Sequence, residues 1–130
     1  MSGARSRSKG ARWEREVAKM FQTVMDGADI RRGIQNRTGG DASDVEGAGR
    51  LHIECKVGKM PNPRAALKQA IRDHKPGKIP IAVIKDDRQS PFVVVGLDDF
   101  LMHFVHRWWS YEVEDVFGFG AETNTEREEI

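Results

Sequence analysis

Hydrophobic residues recur along this chain with two different periods, one typical of helices and one typical of strands. From Ala11 to about Asp26, apolar side chains return every three or four residues, which predicts an amphipathic helix. From Leu51 to Val57, apolar and polar residues alternate strictly, which predicts a strand with one apolar and one polar face. Because side chains of a strand alternate between its faces, His52, Glu54 and Lys56 are expected to share the polar face.

Shorter patterns predict the remaining elements. They are extended segments at Ala28 to Arg37 and around Asp44, a helix from about Arg64 to His74, strands at Ile79 to Ile84 and Pro91 to Leu97, and a helix from Leu97 to Trp108. This order predicts an α/β fold, a mixed central β-sheet flanked by helices. We expect both late strands to be buried. The apolar stripe of the last helix is expected to join the core, with a dimer surface as the alternative.

The length of the chain and its apolar stretches limit the classes of protein to which it can belong. Its 130 residues fit one domain with a single core. No apolar stretch approaches the roughly 20 residues of a membrane-spanning helix, and the single cysteine, Cys55, has no partner for an internal disulfide. We therefore expect a soluble protein of the cytoplasm without a membrane partner, in which Cys55 is a small core residue rather than a nucleophile.

The net charge of +1 averages two unlike parts of the chain. Residues 110–130 contain seven acidic residues and one basic residue, a net charge of −6, whereas residues 1–109 contain 20 basic and 13 acidic residues, a net charge of +7. A basic excess favours binding of a phosphate backbone, although an ordinary solvated surface explains it equally well. We predict a flexible basic arm at residues 1–10, a folded domain at 11–109 and an acidic tail at 110–130.

The polar face of the strand at Leu51 to Val57 carries the clearest candidate chemistry. Glu54 and Lys56 lie about 7 Å apart along it, by the rise of a strand. Asp44 precedes a predicted turn that could fold its segment back, so that its carboxylate meets that of Glu54. Two such carboxylates suit Mg²⁺. His52 shares this face, but nothing requires a histidine there, so we interpret it as a structural residue at the rim.

Glu14 is a third candidate acid. On the first helix it shares a face with Val17, Ala18 and Phe21, whereas Glu16 points away. A carboxylate on a buried stripe costs free energy unless it is paired, protonated or bound to a metal. We therefore expect a cation beside Glu14. Singly, each candidate acid has an ordinary explanation, as a surface ion pair or as part of a turn. Together the acids indicate a site.

Several motifs occur in a characteristic order. Lys9 to Arg15 reads Lys-Gly-Ala-Arg-Trp-Glu-Arg, Arg37 to Gly39 reads Arg-Thr-Gly, Asp44 precedes the Glu-Cys-Lys of Glu54 to Lys56, and Gln69 lies in the next helix. In this order the motifs, over about residues 9–100, resemble the archaeal-type Holliday-junction resolvases of the PD-(D/E)XK nuclease superfamily and their phage-encoded relatives. Two positions differ: Ser43 stands in place of the proline of the superfamily name, and Thr38 replaces the resolvase serine.

The resemblance implies a restriction-endonuclease-like core and a metal-dependent endonuclease that resolves four-way DNA junctions during DNA recombination by paired symmetric nicks. It implies that Asp44, Glu54 and the backbone carbonyl of Cys55 bind Mg²⁺, for which Mn²⁺ can substitute, and that Glu14 completes or supports this site. Lys56 would orient the attacking water or neutralise negative charge. Asp41 lies in the same loop as Asp44 and is left open as an alternative ligand.

Charge and resemblance together predict the partners. The expected DNA contacts are Lys9, Arg12, Arg15, Arg31, Arg32, Arg37, Thr38 and Gln69. The expected partners are branched double-stranded DNA and a second copy of the chain. Two alternatives stay open: a nuclease of the same fold that acts on other DNA structures or sequences, and a non-catalytic DNA-binding protein of that fold. The presence of all four site residues, Glu14, Asp44, Glu54 and Lys56, speaks against the second.

Overall fold

A computed structural model describes residues 3–34 and 43–117. In chain order the elements are α1 (Gly3–Val24), β1 (Arg31–Arg32), β2 (Val45–Glu46), β3 (Leu51–Gly58), α2 (Pro63–Asp73), β4 (Ile79–Asp86), β5 (Phe92–Val95), α3 (Leu97–Asp99), a π-helical turn (Phe100–Val105) and α4 (His106–Phe117). The strands form one sheet in the order β1-β2-β3-β4-β5, in which β3 and β4 are parallel and the other neighbours are antiparallel. The predicted α/β fold with a mixed sheet is therefore confirmed.

Helix α1 covers one face of the sheet. Trp13, Val17 and Ala18 are buried and pack in one cluster with residues of β3 and β4. The indole N–H of Trp13 also donates a hydrogen bond to the carbonyl of Val83, at 3.3 Å, which anchors the helix to β4. The apolar spacing that predicted this helix thus identified the side that faces the sheet.

The start of α1 differs from the prediction. The helix begins at Gly3 rather than Ala11, so the residues predicted to be a flexible arm are helical from Gly3 to Gly10, with mostly exposed side chains. This stretch contains no proline and is rich in arginine and lysine, which are good helix formers. It extends a helix that the buried turn at Trp13 already stabilises, which costs less than starting a new helix.

Helix α2 covers the opposite face of the sheet. Ala66 packs with Ala82 and Ile84, which alternate along β4 with the residues that face α1. The helix begins at Pro63, one residue before its predicted start, because the side chain of Asn62 caps it by accepting a backbone hydrogen bond at 3.1 Å. Both faces of the central strands are therefore covered, and the polar face of β3 is buried rather than open to solvent.

Strand β5 is an edge of the described sheet. The prediction that both late strands are buried is correct for β4 from Ile79 to Ile84 but wrong for β5, where Phe92 and Val93 are exposed. Among the described residues, β5 pairs with β4 alone. An apolar run by itself does not distinguish a central strand from an edge strand, so the pattern predicted the strand but not its position.

The chain divides into two compact units, Met1–Val95 and Gly96–Ile130. Within the described part of the second unit every element is helical and no residue is buried, so the expectation that its apolar stripe joins the core is wrong. Most of the predicted acidic tail, residues 118–130, lies outside the described ranges. None of the helices described for either unit is both long enough and apolar enough to cross a membrane.

Gly47 follows β2 and adopts a backbone conformation that other residues rarely adopt. Its φ is +91°, and a Cβ there would lie 1.9 Å from the carbonyl oxygen of Asp29. We expect Gly47→Ala to lower the free energy of unfolding by at least about 2 kcal/mol in denaturant titrations. Gly27→Ala is the matched control, since Gly27 also has a positive φ but open space at its Cβ position. Equal losses in both variants would show that the contact with Asp29 is unimportant.

Candidate active site

Backbone pairing holds Asp44 beside β3. Its N–H donates to the carbonyl of Ile53 at 2.9 Å, and its carbonyl accepts a hydrogen bond from the N–H of Gly33 at 2.7 Å. Its side-chain Oδ2 accepts a hydrogen bond from the backbone N–H of Cys55 at 2.8 Å. The predicted fold-back of this segment onto β3 is therefore confirmed, and it places the Asp44 carboxyl group next to the residues that flank Glu54.

Glu54 projects from β3 into a buried environment. Its side chain is almost fully buried, and its Oε2 accepts a hydrogen bond from the side-chain amide of Gln69 on α2, at 2.9 Å. Its other oxygen, Oε1, is also buried but accepts no hydrogen bond from any group in the described residues. Burying a carboxylate oxygen without a donor is costly, so this oxygen is the atom of the site that most requires a positively charged ligand.

His52 lies beside Glu54 in the interior. It is 1% exposed, its Nε2 is 3.7 Å from Oε1 of Glu54, and its Nδ1 is 3.1 Å from the hydroxyl oxygen of Ser43. The interpretation of His52 as a rim residue is therefore wrong. Strand alternation correctly placed His52 on the same face as Glu54. This face is covered by α2, and that contact joins parts of the chain that are distant in sequence.

The pKa of Asp44 is raised from 3.8 to about 7. Burial of the carboxyl group is the largest cause, the negative charge of Glu54 is the next, and the charge of Glu14 adds to both. The hydrogen bond from the N–H of Cys55 acts in the opposite direction, because it stabilises the carboxylate. The surroundings of Asp44 thus supply too little positive charge to keep it ionised, and a bound cation would supply that charge.

Glu14 is buried on α1, as its place on the apolar stripe predicted. The cation expected beside it is the guanidinium group of an arginine. Its Oε1 accepts a hydrogen bond from Nε of Arg32 on β1 at 2.6 Å. Glu14 is also close enough to raise the pKa of Asp44. The structure therefore places Glu14 near the carboxylate pair, with part of its charge neutralised by Arg32, one of the predicted DNA contacts.

Cys55 and Lys56 follow Glu54 along β3. The Cys55 thiol is buried in the core that α1 covers, and burial, followed by the charge of Asp44, raises its pKa well above the usual range. The prediction that Cys55 is a core residue is confirmed. Lys56 is partly buried and lies two residues beyond Glu54, so both side chains leave the strand on the same face.

The donors at this site fit a divalent cation. Asp44 and Glu54 supply two carboxylates, one with an oxygen that lacks a donor. The N–H and carbonyl of a strand residue point to the same side, so the carbonyl of Cys55 faces the side of Asp44 and is a third oxygen. No group of three or more His, Cys, Asp or Glu side chains in residues 3–34 and 43–117 is placed to hold a metal, so further ligands would be backbone oxygens and water. Asp41, the alternative ligand, lies outside these residues.

The predicted DNA contacts within the described residues lie on three elements, α1, β1 and α2. Arg12 and Arg15 are exposed on α1. Lys9 and Arg31 each form an exposed ion pair with an aspartate, at 2.6 and 3.1 Å, and exposed pairs of this kind contribute little free energy. Arg31 also lies 3.9 Å from the buried carboxylate of Glu46. The side-chain amide of Gln69 donates a hydrogen bond to Glu54. Arg37 and Thr38 lie outside the described ranges. Binding of DNA by these residues stays a prediction.

No protein-family model matches the chain, and no curated protein matches it. The function is therefore inferred from the geometry of the carboxylate site and from the motifs of the sequence.

Proposed function

We propose that this chain is a divalent-metal-dependent nuclease of the PD-(D/E)XK type that hydrolyses phosphodiester bonds of DNA. The observation that carries the proposal is the pair of neighbouring carboxylates, Asp44 and Glu54, of which one has a pKa raised to about 7 and the other a buried oxygen without a hydrogen-bond donor. Lys56 follows on the same strand face. A metal site with an adjacent ammonium group is the chemistry that phosphodiester hydrolysis requires.

Each group of the site has a separate task in this proposal. When bound, Mg²⁺ or Mn²⁺ polarises the scissile phosphate and lowers the pKa of a coordinated water. Asp44, Glu54 and the carbonyl of Cys55 would hold the ion. The N–H of Cys55 orients the carboxylate of Asp44, and the amide of Gln69 orients that of Glu54. Both carboxylates are therefore positioned before any ion binds, which reduces the cost of ordering them.

Lys56 and Glu14 support the reaction in different ways. The ammonium group of Lys56 neutralises negative charge that develops on the phosphate, and while protonated it cannot act as a base. Glu14 holds Arg32 at 2.6 Å and adds negative charge next to Asp44, so we assign it a supporting role. Arg12 and Arg15, exposed on α1, are proposed to bind backbone phosphates without reading the base sequence.

The proposed substrate is branched double-stranded DNA, and specifically the four-way junction. The motifs that resemble junction resolvases support this choice. A four-way junction has two-fold symmetry and must be cut in two strands, so a homodimer with two sites matches it.

The substrate is tested by incubating the protein with Mg²⁺ and, in separate reactions, a four-way junction, a linear duplex of matched sequence, a flap and a single strand. We expect paired symmetric nicks in the junction, little cutting of the duplex, and no cutting in EDTA. Equal cutting of junction and duplex would support the alternative, a nuclease for other DNA structures or sequences. Tight binding of the junction without cutting under any metal would support the non-catalytic DNA-binding protein.

A further inference from the structure

A row of buried polar side chains ends at Glu54 on β3. The hydroxyl oxygen of Ser43 is 3.1 Å from Nδ1 of His52, and Nε2 of the same ring is 3.7 Å from Oε1 of Glu54. The other oxygen of Glu54, Oε2, accepts the hydrogen bond from Gln69. Ser43, His52 and Glu54 are each at most 2% exposed. Because water has so little access to these groups, each is oriented by its neighbours in the row.

We propose that His52, held in place by Ser43, is a positioning residue for the metal-binding carboxylate of Glu54. It contacts neither the ion nor the DNA, and it acts by keeping Oε1 turned towards the ion. The inference rests on the proposed function in one respect, since the ion is the one that the nuclease would use. Replacing a residue that orients a metal ligand typically weakens metal binding by about 10 to 100-fold.

The contact with Ser43 determines which nitrogen of His52 carries a proton next to Glu54. A serine hydroxyl can donate a hydrogen bond to a ring nitrogen or accept one from it. If the hydroxyl of Ser43 donates to Nδ1, the ring proton is on Nε2, beside the carboxylate. The reverse arrangement, with the only proton on Nδ1, would set the lone pair of Nε2 against a negatively charged oxygen in a buried place, which is unfavourable. The Nε2–H group therefore lies beside Oε1 of Glu54.

The distance between Nε2 and Oε1 suits a positioning residue. At 3.7 Å it is longer than a hydrogen bond, so the ring attracts Oε1 without occupying it, whereas a closer donor would compete with a cation for this oxygen. With Gln69 on Oε2 at 2.9 Å and His52 beside Oε1, the carboxylate is restrained at both oxygens. No three His, Cys, Asp or Glu side chains of the described residues are placed to hold a metal, so we assign His52 to the support of a ligand rather than to ligation.

Ser43 connects this row to the second carboxylate of the site. It directly precedes Asp44, whose N–H donates to the carbonyl of Ile53. The backbone pairing that sets Asp44 beside β3 therefore also sets the hydroxyl of Ser43 beside His52. A proline at position 43, as in the superfamily name, would have no hydroxyl for this contact. The serine that departs from that name is thus matched by the histidine at position 52.

Binding of Mn²⁺ to the full-length protein without DNA, measured by isothermal titration calorimetry, tests the proposal. His52→Asn and His52→Gln are matched variants: asparagine can reach Ser43 but not Glu54, whereas the amide nitrogen of glutamine can take the place of Nε2. We expect His52→Asn to weaken Mn²⁺ binding at least about 10-fold and His52→Gln to weaken it less than about 3-fold. His106→Asn, at an exposed histidine, should bind Mn²⁺ like the wild type.

The same titrations test whether Ser43 acts through His52. Ser43→Ala should weaken Mn²⁺ binding by about 3 to 10-fold, and the double variant should lose no more affinity than His52→Asn alone. Unchanged affinity in His52→Asn would overturn the proposal, as would equal losses in His52→Asn and His52→Gln with unchanged circular dichroism. If His52→Asn does not fold, Ser43→Ala decides, and wild-type affinity in that variant would overturn the proposal. Nitrogen coupling in the electron paramagnetic resonance spectrum of bound Mn²⁺, abolished by His52→Gln, would show a ligand instead.

Cleavage of the DNA that the wild type cuts separates positioning from catalysis. We expect His52→Asn to raise the Mg²⁺ concentration for half-maximal cleavage at least about 10-fold, while the rate at saturating Mg²⁺ stays close to that of the wild type. A rate that does not recover at saturating Mg²⁺ would contradict a role in positioning alone.

The outcomes also distinguish this inference from the proposed function. A chain whose Mn²⁺ affinity depends on His52 but which cuts no DNA would refute the nuclease and leave the positioning role intact. A chain that cuts DNA, but binds Mn²⁺ equally well in the wild type and in His52→Asn, would refute the positioning role and leave the nuclease intact. A wild type that binds no Mn²⁺ at millimolar concentration would also refute the positioning role, and the cleavage assay would then decide the nuclease.

Discussion

Glu54→Gln is expected to lower the rate of Mg²⁺-dependent DNA cleavage by at least about a thousand-fold while leaving DNA binding nearly unchanged. The substitution keeps the size of the side chain but removes the charge of the carboxylate whose Oε1 lacks a donor. A bound metal contributes several kcal/mol to stabilising the transition state, and each 1.36 kcal/mol corresponds to a factor of ten in rate. Initial rates of junction cleavage at saturating enzyme measure the loss, and gel shift in Ca²⁺ or EDTA measures binding.

Asp44→Asn and Lys56→Ala should reduce cleavage in the same way, because they remove the second carboxylate and the ammonium group of the site. Glu16→Gln is the matched control. It removes one negative charge, as Glu54→Gln does, but at an exposed position on α1 rather than among the carboxylates of the site. Full activity in any of the three site variants would refute the assignment. Loss of DNA binding in step with cleavage would show instead that the variants damage the fold or the DNA-binding surface.

Asp44→Asn is also expected to stabilise the metal-free protein at alkaline pH. The pKa of Asp44 is raised in the folded protein to about 7, whereas the unfolded chain has the ordinary value of 3.8. Below pH 3.8 both states are protonated and the group costs nothing. As the pH rises from 3.8 to 7, the folded state is penalised progressively, and above 7 the cost is constant. At 1.36 kcal/mol for each pH unit the full cost is about 4 kcal/mol, and asparagine removes it while keeping an oxygen that can accept from Cys55.

Denaturant unfolding in EDTA at pH 4.5 and pH 8 measures this effect. We expect the asparagine variant to gain about 2 to 4 kcal/mol over the wild type at pH 8 and about 1 kcal/mol or less at pH 4.5. Asp26→Asn, a substitution at an exposed position on the same unit, should give no such pH-dependent gain. A gain of equal size at both pH values, or a loss at pH 8, would contradict the electrostatic account. Mg²⁺ should stabilise the wild type at pH 8 more than the variant, independently of any DNA cleavage.

Local patterns were sufficient for the elements that carry the site. Strict alternation predicted β3 and the common face of Glu54 and Lys56, because a strand repeats every two residues whatever surrounds it. The three-to-four-residue spacing placed Glu14 on the buried stripe of α1 for the same kind of reason. Asp44 was harder to place from its neighbours, since its position depends on backbone pairing with Ile53 across a turn.

Other features were not contained in any local pattern. The burial of His52, the contact of Gln69 with Glu54 and the pairing of Arg32 with Glu14 join residues that are distant along the chain or lie on different elements. The exposure of β5 arises from its place at the edge of the sheet. Each depends on which elements become neighbours, and the period of a segment does not specify its neighbours.

The candidate site thus has two origins. The sequence by itself determined that Glu54 and Lys56 share one face of β3 and that Glu14 lies on the apolar stripe of α1, because those positions follow from the geometry of a single strand or helix. Only the tertiary structure decided that Asp44 lies beside Glu54, where burial and the charge of Glu54 raise the pKa of Asp44 and one oxygen of Glu54 has no hydrogen-bond donor. Burial and charge proximity are properties of the packed chain, and they give the acids their proposed affinity for a cation.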